Sequence, residues 1–276
     1  MQSMKLLICG SAAAEGIPAL FCGCELCQKA YDSKKDRRSR TAYQFGEELR
    51  IDFGPDNLLH SQKYGLHFER LRHLFLTHSH ADHLFPDDLY WRRPGFSMVP
   101  ADSLLNVYGN ASVGDSIKST IGCELERAKM AFHVLSHGIK ISIKKPKAEI
   151  IPLNANHDKS QQSFIFIVRL DGKSALIGND TGWFPDETWE YLKGHIFDTV
   201  ILDCTMGKQR CRNNHMGIYE VAESFEKLSS MGCLSKKCNR IANHFSHNGG
   251  MLHRDLVKFF SGYGIVPGYD GMILEF

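Results

Sequence analysis

The segment THSHADH, residues 77–83, follows directly on the apolar run LFL at 74–76 and crowds His78, His80, Asp82 and His83 into six positions. An apolar run of this kind reads as a short buried strand, so the cluster sits where a rigid element gives way to a loop. His78 and His80, two apart, can reach one ion, while Asp82 and His83, read as opening a following helix, turn towards a second. Two ions about 3.5 Å apart form the clamp that hydrolytic two-metal sites use.

Outward from this segment, similar apolar runs recur at 5–10, 49–54, 163–170, 174–180, 199–203 and 240–244, each read as a strand. Helical spacing of apolar residues predicts helices over 116–135, 216–231 and 251–264. The alternation defines an α/β chain with mixed sheets. Asp52, His78, Asp180, Asp203 and His244 each fall at or just beyond the end of one of these strands, where scaffolds present chemistry.

The composition bounds what such a site can serve. With 43% hydrophobic and 23% charged residues among 276, and no linker, charge block or repeat, residues 1–276 read as one globular domain. Lys plus Arg (33) nearly balances Asp plus Glu (31), so a net charge of +2 gives no basic field for gripping long nucleic acid. No apolar run approaches a membrane span and no secretory leader opens the chain, which predicts a cytoplasmic protein with no membrane partner.

The HxHxDH pattern of His78, His80, Asp82 and His83 resembles the signature of the metallo-β-lactamase superfamily, and the other motifs of that superfamily follow in order: Asp52 in LRIDFG, His157 in LNANHD, Asp180 in SALIGNDTG and His244 in RIANHFSH. The resemblance implies a four-layer αβ/βα sandwich, two mixed β-sheets face to face with helices outside. It puts His78, His80 and His157 on one divalent ion, Asp82, His83 and His244 on another, and Asp180 between the two, with Asp52 supporting from behind. Zn or Mn suits such imidazoles and carboxylates, with Fe a further option. True β-lactamases of the superfamily carry a Cys where this chain has Asp180, which disfavours antibiotic hydrolysis.

Cys22, Cys24 and Cys27 form a second cluster, three of nine cysteines within six residues, close enough to share one tetrahedral ion. His247, three residues after His244, is the expected fourth ligand of a structural zinc. This CxCxxC run, with the later HxxH, is similar to the PhnP-like phosphodiesterases of the superfamily, relatives of tRNase Z and PqqB.

That resemblance implies hydrolysis of a small phosphodiester, cyclic ones included, by a metal-bridging hydroxide. His215, after the D-x-T element at 203–205, would assist as proton donor. Arg92 and Arg93, in WRRP at 91–94, are candidates for a substrate phosphate or a solvated surface pair. Alternatives stay open: a tRNase Z-like nuclease, a thioesterase or lactonase of the same fold, or a non-enzymatic PqqB-like carrier. A homodimer is compatible with the sequence.

Overall fold

The computed structural model describes residues 5–275; residues 1–4 and Phe276, which the one-domain expectation includes, lie outside the described residues. Two seven-stranded sheets stand face to face. The first runs, in spatial order, β14 (Met272–Glu275), β1 (Lys5–Gly10), β2 (Ala42–Phe45), β3 (Leu49–Ile51), β4 (His73–Phe75), β5 (Leu105–Gly109) and β6 (Met130–Val134). The second runs β13 (Val266–Pro267), β12 (Leu234–Asn243), β11 (Phe197–Asp203), β10 (Lys173–Gly178), β9 (Phe164–Leu170), β8 (Ala148–Asn154) and β7 (Ile141–Ile143). Both are mixed: β3 to β6 pair in parallel while β1–β2 and β2–β3 are antiparallel, and β10 to β13 pair in parallel while β8, β9 and β10 are antiparallel.

The layering follows from the twofold period of the strands. Along β9, Phe164, Phe166 and Val168 point between the sheets with Leu6, Tyr43, Phe45 and Phe75, whereas Ile165 and Ile167 point outward. The outward set packs under α5 (Asp186–Leu192), α6 (Ile218–Ser230) and α7 (His253–Phe260) through Leu192, Phe225 and Phe260. On the opposite side, Leu74, Leu105 and Val107 of the first sheet pack under α3 (Pro86–Tyr90) and α4 (Ala111–Ile121) through Leu89, Val113 and Ile117. A run such as FIFIV, apolar at every position, is what a strand buried on both faces requires. The architecture is therefore the four-layer αβ/βα sandwich, completed by the short α1 (Glu25–Ala30) and by α2 (Asn57–Tyr64).

Two local expectations are corrected. The helix expected over 116–135 breaks at Gly122, whose φ of +63° suits glycine and ends α4; MAFHV then pairs with β5 as β6. Asp82 and His83 do not open a helix. They lie in a turn closed by bonds from His83 and Leu84 N–H to the His80 carbonyl, and α3 begins only at Pro86. Among the described residues no helix is long and apolar enough to cross a membrane.

Candidate metal centre

The carboxyl ends of β3, β4, β10, β11 and β12 converge on one edge of the sandwich, and the polar residues that follow them face one another there. Asp52, Asp180 and His244 each take a left-handed backbone conformation, with φ of +64°, +48° and +59°. That conformation costs a non-glycine residue about 1–2 kcal/mol, and here it turns each chain sharply at the strand end so that the side chain enters the gap. The close approach is visible at Gly54, where an added Cβ would lie 1.9 Å from the Asp82 carbonyl.

Seven side chains form two adjoining groups. His78, His80 and His157 bring one nitrogen each to a common region, with His78 Nε2 2.8 Å from His80 Nδ1 and His157 Nε2 3.3 Å from the same atom. Asp82, His83, Asp180 and His244 form the second, with His83 Nε2 3.0 Å from Asp82 and 2.8 Å from Asp180, and His244 Nε2 2.9 Å from Asp180. Asp180 touches both groups, since its other oxygen is 3.7 Å from His157 Nε2.

The donor set fits divalent ions. His83 Nε2, His244 Nε2 and Asp180 Oδ2 are buried without a hydrogen-bond partner despite their short separations, which is costly unless something else satisfies them. Ligand atoms around a tetrahedral ion with bonds of about 2.1 Å stand about 3.4 Å apart, so donors that already approach to between 2.8 and 3.3 Å need spread only slightly to hold one. The far nitrogens of four histidines are occupied: His78 Nδ1 by Thr77 Oγ1, His83 Nδ1 by Asp52, His157 Nδ1 by the Asn214 carbonyl and His244 Nδ1 by Thr205 Oγ1. Each ring is thereby fixed with its second nitrogen turned to the centre. Burial holds His78 and His157 below the ordinary histidine pKa, in the neutral form that can coordinate. Burial opposes the charge on Asp180, but His244 and His83 outweigh it and keep its carboxylate ionised.

His215 stands beside both groups, its ring 4.9 Å from that of His157 and 5.8 Å from that of His244. Its Nδ1 lies 3.0 Å from Asp203 Oδ2, which leaves Nε2 free. Burial works against protonation of His215, but the Asp203 charge and hydrogen bond, with Asp180, hold its pKa up at about 9. Asp203 is the residue that sequence reasoning placed only as a strand end. It is fully buried and accepts from the N–H groups of Asp180, Thr205 and Met216, the Thr205 hydroxyl and His215, so one carboxylate sets the positions of two strand-end loops. Its only sequence signal is the D-x-T spacing.

The four members of the other cluster also meet. Cys22 Sγ and Cys24 Sγ lie 3.6 and 3.7 Å from His247 Nδ1, and Cys27 completes a set whose ligand atoms fall within 4.8 Å of one another. These spacings suit a tetrahedral ion with Zn–S bonds of about 2.3 Å. The Cys27 N–H and His247 lower the Cys24 thiol to about 6, towards the thiolate that binds metal. Arg92 and Arg93 do not reach either centre. Arg92 donates to the Ser103 carbonyl and hydroxyl, and Arg93 lies over the Tyr90 ring at 3.2 Å, so both brace their own loop.

The β-lactamase superfamily domain matches residues 49–232, so the protein belongs to the metallo-β-lactamase superfamily of hydrolases, and the His and Asp groups seen here could hold metal ions. Several solved structures share the fold over nearly the whole chain. A diphosphatase of the PhnP family aligns over 99% of this chain and 98% of its own, with TM-score 0.75 and 23% identity. Zn2+-bound PqqB from Methylobacterium extorquens aligns over 99% and 100%, with TM-score 0.74 and 15% identity. Human tRNase Z, short form, aligns over 98% of both chains, with TM-score 0.64 and 17% identity. Among curated proteins, an octanoyltransferase of Porphyromonas gingivalis (strain ATCC BAA-308 / W83) is 29% identical over 126 residues. That match covers 43% of this chain and 23% of the relative, so the chain spans about a quarter of that protein's length.

Proposed function

We propose that the protein is a metal-dependent phosphodiesterase acting on a small phosphodiester, with His78, His80 and His157 holding one divalent ion, Asp82, His83 and His244 a second, and Asp180 shared. Cys22, Cys24, Cys27 and His247 hold a structural zinc. Divalent ions bound at the paired groups would supply Lewis acidity, neutralising phosphoryl oxygens and activating water. The chain's own part is to fix the substrate and move protons.

The observation that carries this reading is His215. Seven histidines and carboxylates alone suit thioester or lactone hydrolysis equally, but a histidine whose Nδ1 is bonded to buried Asp203 and whose Nε2 is free beside both groups is a placed proton donor. A diester needs such a donor for its alkoxide leaving group, and His215 Nε2–H can deliver the proton while Asp203 stabilises the charge that remains. Similarity in fold to a PhnP-family diphosphatase and to tRNase Z agrees with phosphorus chemistry. The balanced net charge of +2 favours small substrates over long RNA.

The test is a screen of protein reconstituted with Zn or Mn against bis-p-nitrophenyl phosphate, cyclic nucleotides, ribose cyclic phosphates, dinucleotides and thioesters. Turnover of a diester is expected. Turnover confined to thioesters overturns the substrate class, and tight ligand binding with no turnover of any kind favours the carrier reading that the PqqB likeness suggests.

A further inference from the structure

His80 differs from the other histidines of the centre. Its side chain is 44% exposed, against 0% for His83, 8% for His157 and 1% for His244. Packing therefore fixes the other imidazoles but leaves the His80 ring free to turn. Its Nε2 meets Asp158 Oδ2 at 3.2 Å, among the described residues the one carboxylate outside the centre that bonds the His78–His80–His157 group.

Asp158 is itself held on every side. The Ser160 N–H reaches Oδ1 at 2.8 Å, while the Ser160 hydroxyl and the Gln161 amide reach Oδ2 at 2.8 and 3.1 Å. The same Gln161 accepts, through Oε1, from Ser79 N–H at 3.0 Å, the Ser79 hydroxyl at 2.9 Å and the Asn110 amide at 3.1 Å. Asp158 and Gln161 thus join the loop after β8 to the loop after β4, and the pair grips His80 from its outer side. These bonds lie outside the buried core, since Ser160 is exposed and Asp158 and Gln161 are half-buried.

We propose that Asp158 is a positioning residue that fixes the tautomer and rotation of His80, and that it thereby sets the affinity of the His78–His80–His157 group, the more exposed and more exchangeable of the two metal positions. The inference rests on the metal reading given above. With Nε2–H committed to Asp158, Nδ1 keeps its lone pair towards His78 and His157; without it, the ring loses the acceptor that fixes its orientation and tautomer.

The experiment titrates Co2+ into wild-type protein and Asp158→Asn after chelator treatment, following the visible bands of nitrogen and oxygen ligation separately from the near-ultraviolet thiolate band of the cysteine site. In wild type two nitrogen–oxygen phases are expected, the weaker assigned to the His80 group. Asp158→Asn should weaken that phase by about 10- to 100-fold and leave the tighter phase, the thiolate band and the melting temperature of the metal-free protein unchanged. Asp158→Glu should restore part of the loss. Equal weakening of both phases, no weakening, or a lower melting temperature of the metal-free variant overturns the proposal. Failure of wild-type protein to show any nitrogen–oxygen phase instead overturns the metal reading itself, so the two failures are distinct.

Discussion

Asp52 Oδ2 lies 2.7 Å from His83 Nδ1, with both side chains sealed from solvent at the junction of β3 and the turn after β4. The other oxygen of Asp52 accepts from the Thr77 N–H and hydroxyl, each at 2.9 Å, and Thr77 in turn meets His78 Nδ1 at 3.0 Å. One carboxylate therefore orients a histidine of each metal group. Asp52→Asn keeps the size but removes the charge and one acceptor, so it is expected to weaken binding at both groups by about 10- to 100-fold. Retained metal after dialysis against a graded series of chelator measures it. Wild-type retention in the variant would contradict the assignment.

His215 is expected to separate chemistry from metal binding. Its contacts to His157 and His244 are ring against ring, and among the described residues its only side-chain hydrogen-bond partner is Asp203, so His215→Ala should keep its metal content and bind a diester as wild type does. Removal of one proton donor costs about 10²–10⁴ in kcat. The loss should be smallest for p-nitrophenyl esters, whose leaving group departs without a proton. Equal loss on good and poor leaving groups, or loss of metal, sinks the role.

How far the site could be read from sequence depends on how local each part is. His78, His80, Asp82 and His83 were legible because one turn carries them. Asp180 and His244 are marked as polar residues at strand ends, but their grouping with His157 follows only from the resemblance, since the strands that bring them together are separated by tens of residues. Asp203 is marked in the sequence only as a strand end with the D-x-T spacing, and Asp158, which meets His80 from a loop remote in the chain, leaves no pattern. The helix expected over 116–135 failed because apolar spacing in MAFHV fits a buried strand as well as a helix, and only Gly122 and the neighbouring β5 decide between them.

The cysteine cluster should govern stability more than chemistry. Cys24 caps the start of α1 through the Cys27 N–H and shares the His247 ring with Cys22, so it ties the N-terminal loop to the turn that follows His244. Cys24→Ser is expected to lose one zinc per chain and to melt several degrees lower, while the remaining folded protein keeps most of its diester turnover. Metal analysis, melting and kcat on the same preparation decide it. Parallel collapse of melting temperature and kcat would mean that the two sites are not separable.

The pH response of stability should carry the mark of His253, which opens α7 far along the chain from Arg38 yet accepts from it. An arginine has donors only, so the 3.1 Å contact between Arg38 Nη2 and His253 Nδ1 requires a bare nitrogen on the histidine. Burial, then the charges of Arg38 and Lys35, lower its pKa from 6.5 to about 4, with Asp36 opposing. Between those values the unfolded chain binds a proton that the folded chain refuses, so stability is full above pH 6.5, falls as the pH drops, and stops changing on this account below about 4. His253→Gln keeps an acceptor for Arg38 but cannot titrate. Its urea midpoint should therefore fall less steeply than that of wild type from pH 6.5 to 4, by up to about 1.4 kcal/mol per pH unit in unfolding free energy, the limit for one proton. Acid loss of metal affects both proteins alike and cancels in the difference. Parallel curves for the two across this window would show that His253 takes up its proton in the folded state, and that the Arg38 contact does not hold it neutral.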